Sequence, residues 1–395
     1  MTAGRLEHIL FVDDEPHLLA GLRRMLRAER DHWRLSFATS GTEALQVIAD
    51  DPVDVIVSDM RMPVMDGAEL LARVQREHPS TARIVLSGQA DRASVISAIR
   101  SAQQFLAKPC DAATLTAAIG RAVDVRRMLI DPDLRRLIGG VSSLPTLPTV
   151  YHELVEAMDR PEVDLAAVSE VLASDVATSA EVLKLVNSAF FGLARQISTV
   201  DAAVSLLGLD NIQALVLAGS VFRTDSSTGV DVARLRADAL RRAAIGRAVA
   251  QQEGWPAHER NLAVLACMLR DLGTLVLAEG LPEAAAGLRA ALAAEPDADP
   301  ARRAELEVAA YGCPVPVASA YLLGLWGFAP TVVYTVAGQP LLEPGPATSH
   351  FELLLSFADR RVLAPDAPVV MASGGHLSDE RLLVWNHLAD TVIAG

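Results

Sequence analysis

Residues 53–59 read VDVIVSD, an apolar run broken by one aspartate and ending on a serine and a second aspartate, Asp59. A strand buried on both faces reads as a nearly continuous apolar run, because helices cover both sides of a parallel sheet. The stretch therefore predicts a central parallel strand with Asp59 at its carboxyl end. Working outward, HILFVD (8–13), WRLSFA (33–38), ARIVLS (82–87) and residues 103–106 read as further strands. Amphipathic segments lie between and after them, near 16–29, 41–50, 67–77, 91–101 and 111–127. Strands that alternate with helices in this way build a doubly covered parallel sheet.

The polar residues of this region fall at strand ends. Asp13 and Asp14 close the first strand, Asp59 the third and Ser87 the fourth, and Lys108 follows the fifth. In an open parallel sheet the carboxyl ends of the strands form the ligand crevice at the point where strand order reverses. A lone aspartate at a strand end is ordinarily a cap or a turn residue. Five polar groups at matching ends form a site. Three carboxylates there repel unless a hard cation neutralises them, and oxygen ligands suit Mg²⁺. A carboxylate can attack a phosphoryl group to give an aspartyl phosphate, whose oxygens an ammonium and a hydroxyl would then stabilise. The lysine is informative because 33 of the 35 basic residues are arginine, leaving only Lys108 and Lys184. A compact ammonium on a flexible stem suits a tight phosphate pocket better than a planar guanidinium.

FVDDEP (11–16), VSDMRMPVMDG (57–67), VLSGQAD (85–91) and QFLAKP (104–109) resemble the signature stretches of bacterial response-regulator receiver domains. The resemblance covers residues 6–127. It implies a flavodoxin-like five-stranded fold with Asp59 as phosphoacceptor. Asp13, Asp14, Asp59 and the backbone carbonyl of Arg61 would hold Mg²⁺. Ser87 and Phe105 would form the hydroxyl-and-aromatic switch pair, Lys108 the phosphate-binding lysine, and the Lys108–Pro109 bond would be cis. Ser at 87 and Phe at 105 stand where Thr and Tyr are commoner in the family.

At 395 residues, 51% apolar and 21% charged, the chain has the length of two or three domains. The net charge of −14 is uneven: residues 1–130 hold 17 acids and 16 bases, residues 131–395 hold 32 and 19. So acidic a second half repels phosphate backbones, which argues against direct DNA binding there. Three scattered cysteines (Cys110, Cys267, Cys313) fit a reducing compartment. The first residues lack the apolar core of a signal peptide. The uncharged stretch 308–342 is divided by prolines, and its longest proline-free piece, 317–329, is too short to span a bilayer. We read that piece as a buried helix, with no membrane association and a cytoplasmic location.

Near residues 128–147 the pattern breaks into IDPDLRRLIGGVSSLPTLP, whose glycine and serine pairs and spaced prolines mark a linker. The layout is then a receiver over 1–127, a linker over 128–144, an all-helical domain over 145–340 and a helical extension over 341–395 that adjoins it. LPTLPTVYHELVEAM (144–158), VLKLVNSAFFG (182–192), AVSLLGLDN (203–211) and AYLLGLWGFAP (320–330) read individually as helix packing. Together they resemble the HDOD domain, a degenerate relative of the HD metal-dependent phosphohydrolases. Catalytic HD domains hold metals through a His, a His-Asp pair and a further Asp. None of the nine histidines here precedes an aspartate, and where the pair belongs the sequence reads LACMLRDLGTL, with Arg270 beside Asp271. The earlier helix ADALRRAAIGRAVA (237–250) offers arginine and no histidine, and Asp359 matches the last acidic position. His152, His258, His350, His376 and His387 read as surface or packing residues. No metal is expected in this domain.

These readings lead to a non-enzymatic response regulator that a sensor histidine kinase or phosphotransfer protein phosphorylates. Its HDOD half would act on a downstream signalling protein by protein–protein interaction. The family resemblance also allows homodimerisation through the last receiver helices or the helical half. Two alternatives stand beside it: an HD-type cyclic-dinucleotide phosphodiesterase, against which the missing His-Asp pair and Gly-Tyr-Pro triplet argue, and a small-molecule sensor using the vestigial HD pocket.

Overall fold

A computed structural model of the chain describes residues 6–87, 104–129, 131–140, 165–174, 199–207, 229–296, 298–325, 330–338, 346–363 and 379–394, with single positions at 102, 154, 212, 216 and 328. The chain divides into two compact units, Met1–Thr146 with Tyr321–Pro330, and Leu147–Ala320 with Thr331–Gly395.

The first unit holds a five-stranded parallel sheet of order β2-β1-β3-β4-β5, from strands Glu7–Val12 (β1), Trp33–Ala38 (β2), Val55–Asp59 (β3), Ala82–Ser87 (β4) and Gln104–Ala107 (β5). Every residue of β3 is buried, as its apolar run requires. Helices Pro16–Met25 (α1), Gly41–Asp50 (α2), Gly67–Glu77 (α3) and Ala112–Met128 (α4) connect or follow the strands. The first is shorter than its periodicity suggests: it gives way to a 3-10 turn over Arg27–Asp31. Short polar side chains start the others. Ser40 accepts a hydrogen bond from Glu43 N at 3.2 Å, Asp66 from Glu69 N at 2.8 Å and Asp111 from Thr114 N at 2.8 Å. Each satisfies one of the donors that a helix start leaves open. The helix expected near 91–101 lies outside the described residues, as do the quoted stretches 144–153 and 182–192.

Two details fix the sheet's carboxyl edge. The first turn of α3 lies against the end of β3, where Gly67 N donates to Met60 O at 2.9 Å. A Cβ on Gly67 would sit 2.1 Å from the carbonyl oxygen of Asp59, so only glycine permits this approach. Within the segment read as linker, residues Pro132–Gly140 form a further helix, α5. Its Leu134 and Ile138 are buried, so this part of the segment packs like a domain element.

The second unit is helical throughout its described residues. Its elements are Leu165–Ser174 (α6), Val200–Leu207 (α7), Val232–Gln252 (α8), Ala257–Leu269 (α9), Gly273–Gly280 (α10), Pro282–Ala294 (α11), Pro300–Tyr311 (α12), the part of Val315–Leu325 (α13) up to Ala320, Pro330–Ala337 (α14) from Thr331 on, Pro346–Leu363 (α15) and Asp379–Ala394 (α16). Helices α15 and α16 make up the described part of the stretch read as a helical extension over 341–395. The centre is α8, on which α9, α15 and α16 pack. Small residues Ala239, Ala243, Gly246 and Ala250 line its buried side, and a Cβ on Gly246 would meet Cys267 Sγ at 2.8 Å. Residues 258–280 form one stretch long and apolar enough to cross a membrane by length and composition. Its most apolar window is 72% buried, which is the environment of a core helix.

The chain's end joins this core. Trp385, 1% exposed, packs edge-on to Phe357 with ring centroids 5.2 Å apart. Its indole Nε1 donates to Glu253 at 2.7 Å, and Arg381 donates to the same carboxylate at 2.7 Å. Helix α16 is thereby tied to the carboxyl end of α8. Trp385→Ala should destabilise the helical half by about 3–5 kcal/mol through the cavity it leaves. Urea denaturation followed by circular dichroism checks this, and a loss below about 1 kcal/mol would mean that α16 is a dispensable appendage.

Candidate functional site

At the carboxyl edge of the parallel sheet, β1 and β3 lie side by side, with Val12 paired to Ser58. Asp13 follows β1 and Asp59 ends β3, so strand pairing alone brings their carboxylates together. Asp13, Asp14 and Asp59 each offer an oxygen within 4.8 Å of the others. Lys108 Nζ donates to Asp13 Oδ2 at 2.9 Å and lies 2.5 Å from Asp59 Oδ1. The Lys108–Pro109 bond ahead of α4 is cis. Arg61 N donates to Asp59 Oδ2 at 3.1 Å, placing residue 61 beside the cluster. Asp13 also accepts from Glu15 N at 2.9 Å, which holds the turn into α1.

The electrostatics of this pocket are balanced against burial. Burial pushes the Asp59 carboxyl up, the hydrogen bond and charge of Lys108 pull it back, and the neighbouring Asp13 raises it again; the net displacement is upward. Burial opposes the Lys108 ammonium as well, but bonds and charges from Asp59 and Asp13 outweigh it and hold Lys108 above its ordinary value. Three carboxylates against one ammonium leave a negative, oxygen-rich pocket. That donor set fits a hard divalent cation such as Mg²⁺. Ser87 ends β4 beside this edge and Phe105 lies in β5. Their side chains fall outside what is described, and so does any ligand role for the Arg61 carbonyl.

The helical half contains a second, different charge cluster. Arg242 on α8 is wholly buried, and its Nε donates to Asp359 Oδ1 at 3.0 Å while its terminal nitrogen donates to Asp271 Oδ2 at 2.7 Å. Arg270, at the end of α9, pairs with the remaining oxygen of each carboxylate: Asp271 Oδ1, and Asp359 Oδ2 at 2.8 Å. The four residues close a ring in which each carboxylate oxygen takes one guanidinium. A further Arg242 nitrogen donates to Cys267 O at 3.3 Å. Burial works against the charge on Asp271, but Arg242 and Arg270 overcome it and bring the carboxyl down to about 2. Cys267, buried beside them, is pushed by burial up to about 12 and is no nucleophile.

The residues that the HD comparison singles out thus meet in space: Arg270, Asp271 and Asp359 share one ring. The sequence reading missed Arg242 as a member and noted only that its helix carries arginine. The available signal was an arginine on the most apolar side of a small-residue helix, since a buried arginine needs carboxylates. Among the described histidines of this half, His258, His350 and His387 are exposed, away from any such role.

Comparison with known proteins agrees with both halves. The response regulator receiver domain family matches residues 9–120, and the HDOD domain family matches residues 144–340. The transcriptional regulatory protein GlrR of Escherichia coli is 36% identical over 135 residues, 33% of this chain and 29% of GlrR. The chain therefore spans less than a third of that relative's length. Among solved structures, the signal receiver domain of an HD domain-containing protein from Pseudomonas fluorescens Pf-5 is 35% identical, covering 32% of this chain and 93% of that one at a TM-score of 0.31. An HDOD domain protein from Geobacter sulfurreducens is 22% identical, covering 66% and 86% at a TM-score of 0.47.

The ring makes a pH prediction. The Asp271 carboxyl lies below its ordinary value near 3.8, so its contribution to stability is present above that pH and is lost as pH falls toward about 2. Asp271→Asn should remove that acid-limb dependence and, at neutral pH, cost about 3–5 kcal/mol by stranding buried guanidinium charge. Trp255 and Trp385 lie in the second unit, so denaturation followed by tryptophan fluorescence across a pH series reads it. An acid limb unchanged in the variant would remove Asp271 from this account.

Proposed function

The chain belongs to the response regulators that join a receiver domain to an HDOD domain, and we propose that Asp59 is its phosphoacceptor and that the HDOD half is a non-catalytic output. The observation that carries the first part is the convergence of Asp13, Asp14 and Asp59, with oxygens within 4.8 Å of one another, and of Lys108, which reaches Asp13 and Asp59. A histidine kinase or phosphotransfer partner presents the phosphoryl group. An Asp59 carboxylate oxygen attacks phosphorus, the bond from phosphorus to the donor histidine nitrogen breaks, and that nitrogen leaves with the electron pair. Asp13, Asp14, Asp59 and the carbonyl of Arg61 would hold Mg²⁺, which when bound neutralises charge on the phosphoryl oxygens. Lys108 loses one of its two carboxylate partners when Asp59 becomes an acyl phosphate and is then free to hold a phosphoryl oxygen. Ser87 donates a hydroxyl bond to another, drawing β4 toward the phosphate, with Phe105 following. This shifts the receiver between two surface states.

The second part is supported by the ring of Arg242, Arg270, Asp271 and Asp359. A hydrolytic metal centre needs carboxylate oxygens free to ligate, and here two fixed cations take all four. Binding a metal at Asp271 or Asp359 would displace a buried guanidinium with nowhere to place its charge. The output then proceeds through binding to a downstream signalling protein in the cytoplasm, with the acidic second half directing it away from DNA.

The decisive experiment incubates the wild-type chain and Asp59→Asn with Mg²⁺ and acetyl phosphate, then reads intact mass and size-exclusion profile. One phosphoryl group on the wild type alone, with an altered profile, is the expected result; no addition to a folded wild type would sink the phosphoacceptor assignment. Metal analysis of the same preparation should find no transition metal retained, and two such ions per chain would overturn the non-catalytic reading.

A further inference from the structure

Arg83, on β4, is a buried cation that the phosphoacceptor reading does not use. It is 2% exposed, and burial lowers its guanidinium to about 10. One terminal nitrogen donates to Thr81 O at 2.9 Å and Pro79 O at 3.3 Å, in the turn that enters β4. The other donates to Gly139 O at 3.1 Å, reaching across 56 residues of sequence to helix α5. Gly139 lies in the last turn of α5, where a helix leaves its carbonyls without intrahelical partners. A cation there also meets the negative end of the helix dipole.

Independent features hold the same helix in place. A Cβ on Gly139 would sit 2.1 Å from Pro79 O, so the helix touches the turn backbone to backbone. Leu134 and Ile138 are 5% and 2% exposed. At the other end, Asp131 accepts from Asp133 N at 2.7 Å and Leu134 N at 3.3 Å and starts the helix directly after α4. Helix α5 is therefore capped at its start and held to the rest of the receiver at its last turn and along its buried side.

Strand β4 connects this anchor to the acidic pocket. Leu86 is the register partner of Asp59, and its carbonyl accepts from Met60 N at 3.2 Å. Arg83 lies three residues earlier on the same strand, about 10 Å away at the usual rise per residue. A hydrogen-bonded strand flanked on both sides moves as a unit, so displacement of its carboxyl end also displaces Arg83.

We propose that α5 is a clamped arm of the receiver, with Arg83 and Gly139 as the clamp, and that β4 carries the phosphorylation state of Asp59 through it to the chain leaving α5. The clamp stands by itself; its use in signalling rests on Asp59 being the phosphoacceptor. Arg83 acts through α5 and is a positioning residue.

The test is backbone hydrogen exchange on the full chain, read over residues 132–140, with intact mass recorded on each sample. Before phosphorylation, Gly139→Ala and Arg83→Met should each speed exchange in α5 by about tenfold or more, the expected loss for a charge-assisted bond. Exchange in β1 and β3 and phosphoryl uptake should stay as in the wild type, and Arg83→Lys should recover part of the α5 protection. Unchanged α5 exchange in both Gly139→Ala and Arg83→Met would overturn the clamp. Should Gly139→Ala fail to fold, the Arg83 pair decides the matter. With acetyl phosphate and Mg²⁺, α5 exchange should change about threefold or more in the wild type and not in Asp59→Asn. Phosphoryl uptake without a change in α5 overturns the transmission while leaving Asp59 as acceptor. No uptake at all removes the acceptor reading and the transmission with it.

Discussion

The ammonium of Lys108, held between Asp13 and Asp59, is the contact on which the receiver's arrangement turns. Parallel pairing of β1 with β3 forces two carboxylates together at one sheet edge, and β5 delivers a cation to the same place. A site of this kind cannot relax into a neutral cluster, because one ammonium does not balance three acids. It remains short of positive charge, which is the condition for admitting a divalent cation.

The helical half meets the same problem and resolves it differently. Asp359 is buried and Asp271 partly so, and two arginines close on them with matched stoichiometry. Guanidinium forks satisfy both oxygens of a carboxylate in fixed directions, which an ammonium cannot do. The first site therefore has a vacancy for charge and the second has none. The ring joins α8, the end of α9 and α15 into a single body.

Much of this was legible in the sequence. The strand-end aspartates, the rare lysine and the uninterrupted β3 run specify the sheet and its acidic edge, because parallel topology leaves few places for such residues to go. Arg270 beside Asp271 announced the absence of a His-Asp pair. The partners of Arg242 were not legible, since they lie 29 and 117 residues away, although its place among the small residues of α8 marks it for burial. Helix α5 was hidden for a related reason. Its composition, rich in arginine and ending in two glycines, reads as a linker, whereas its stability comes from Arg83 and the Pro79 turn, far back in the chain. Trp385 likewise makes sense only beside Glu253, 132 residues earlier.

Arg83, Arg126 and Arg242 share a physical logic that the chain's composition makes affordable. With 33 arginines and two lysines, nearly every internal cation here is a planar fork able to hold several acceptors at once. Arg126 pairs with Asp54 at 2.8 Å, and the other oxygen of Asp54 accepts from His8 N at 2.8 Å, so α4 is fixed to the entry of β1. Arg83 does the same for α5 and the entry of β4. These forks lie at the edge of the sheet opposite the acidic pocket. The receiver thus has its charge-deficient cluster at the carboxyl edge of the sheet and its buried arginine forks at the opposite edge. At that opposite edge a buried guanidinium cannot release its acceptors one at a time without leaving a charge unsolvated.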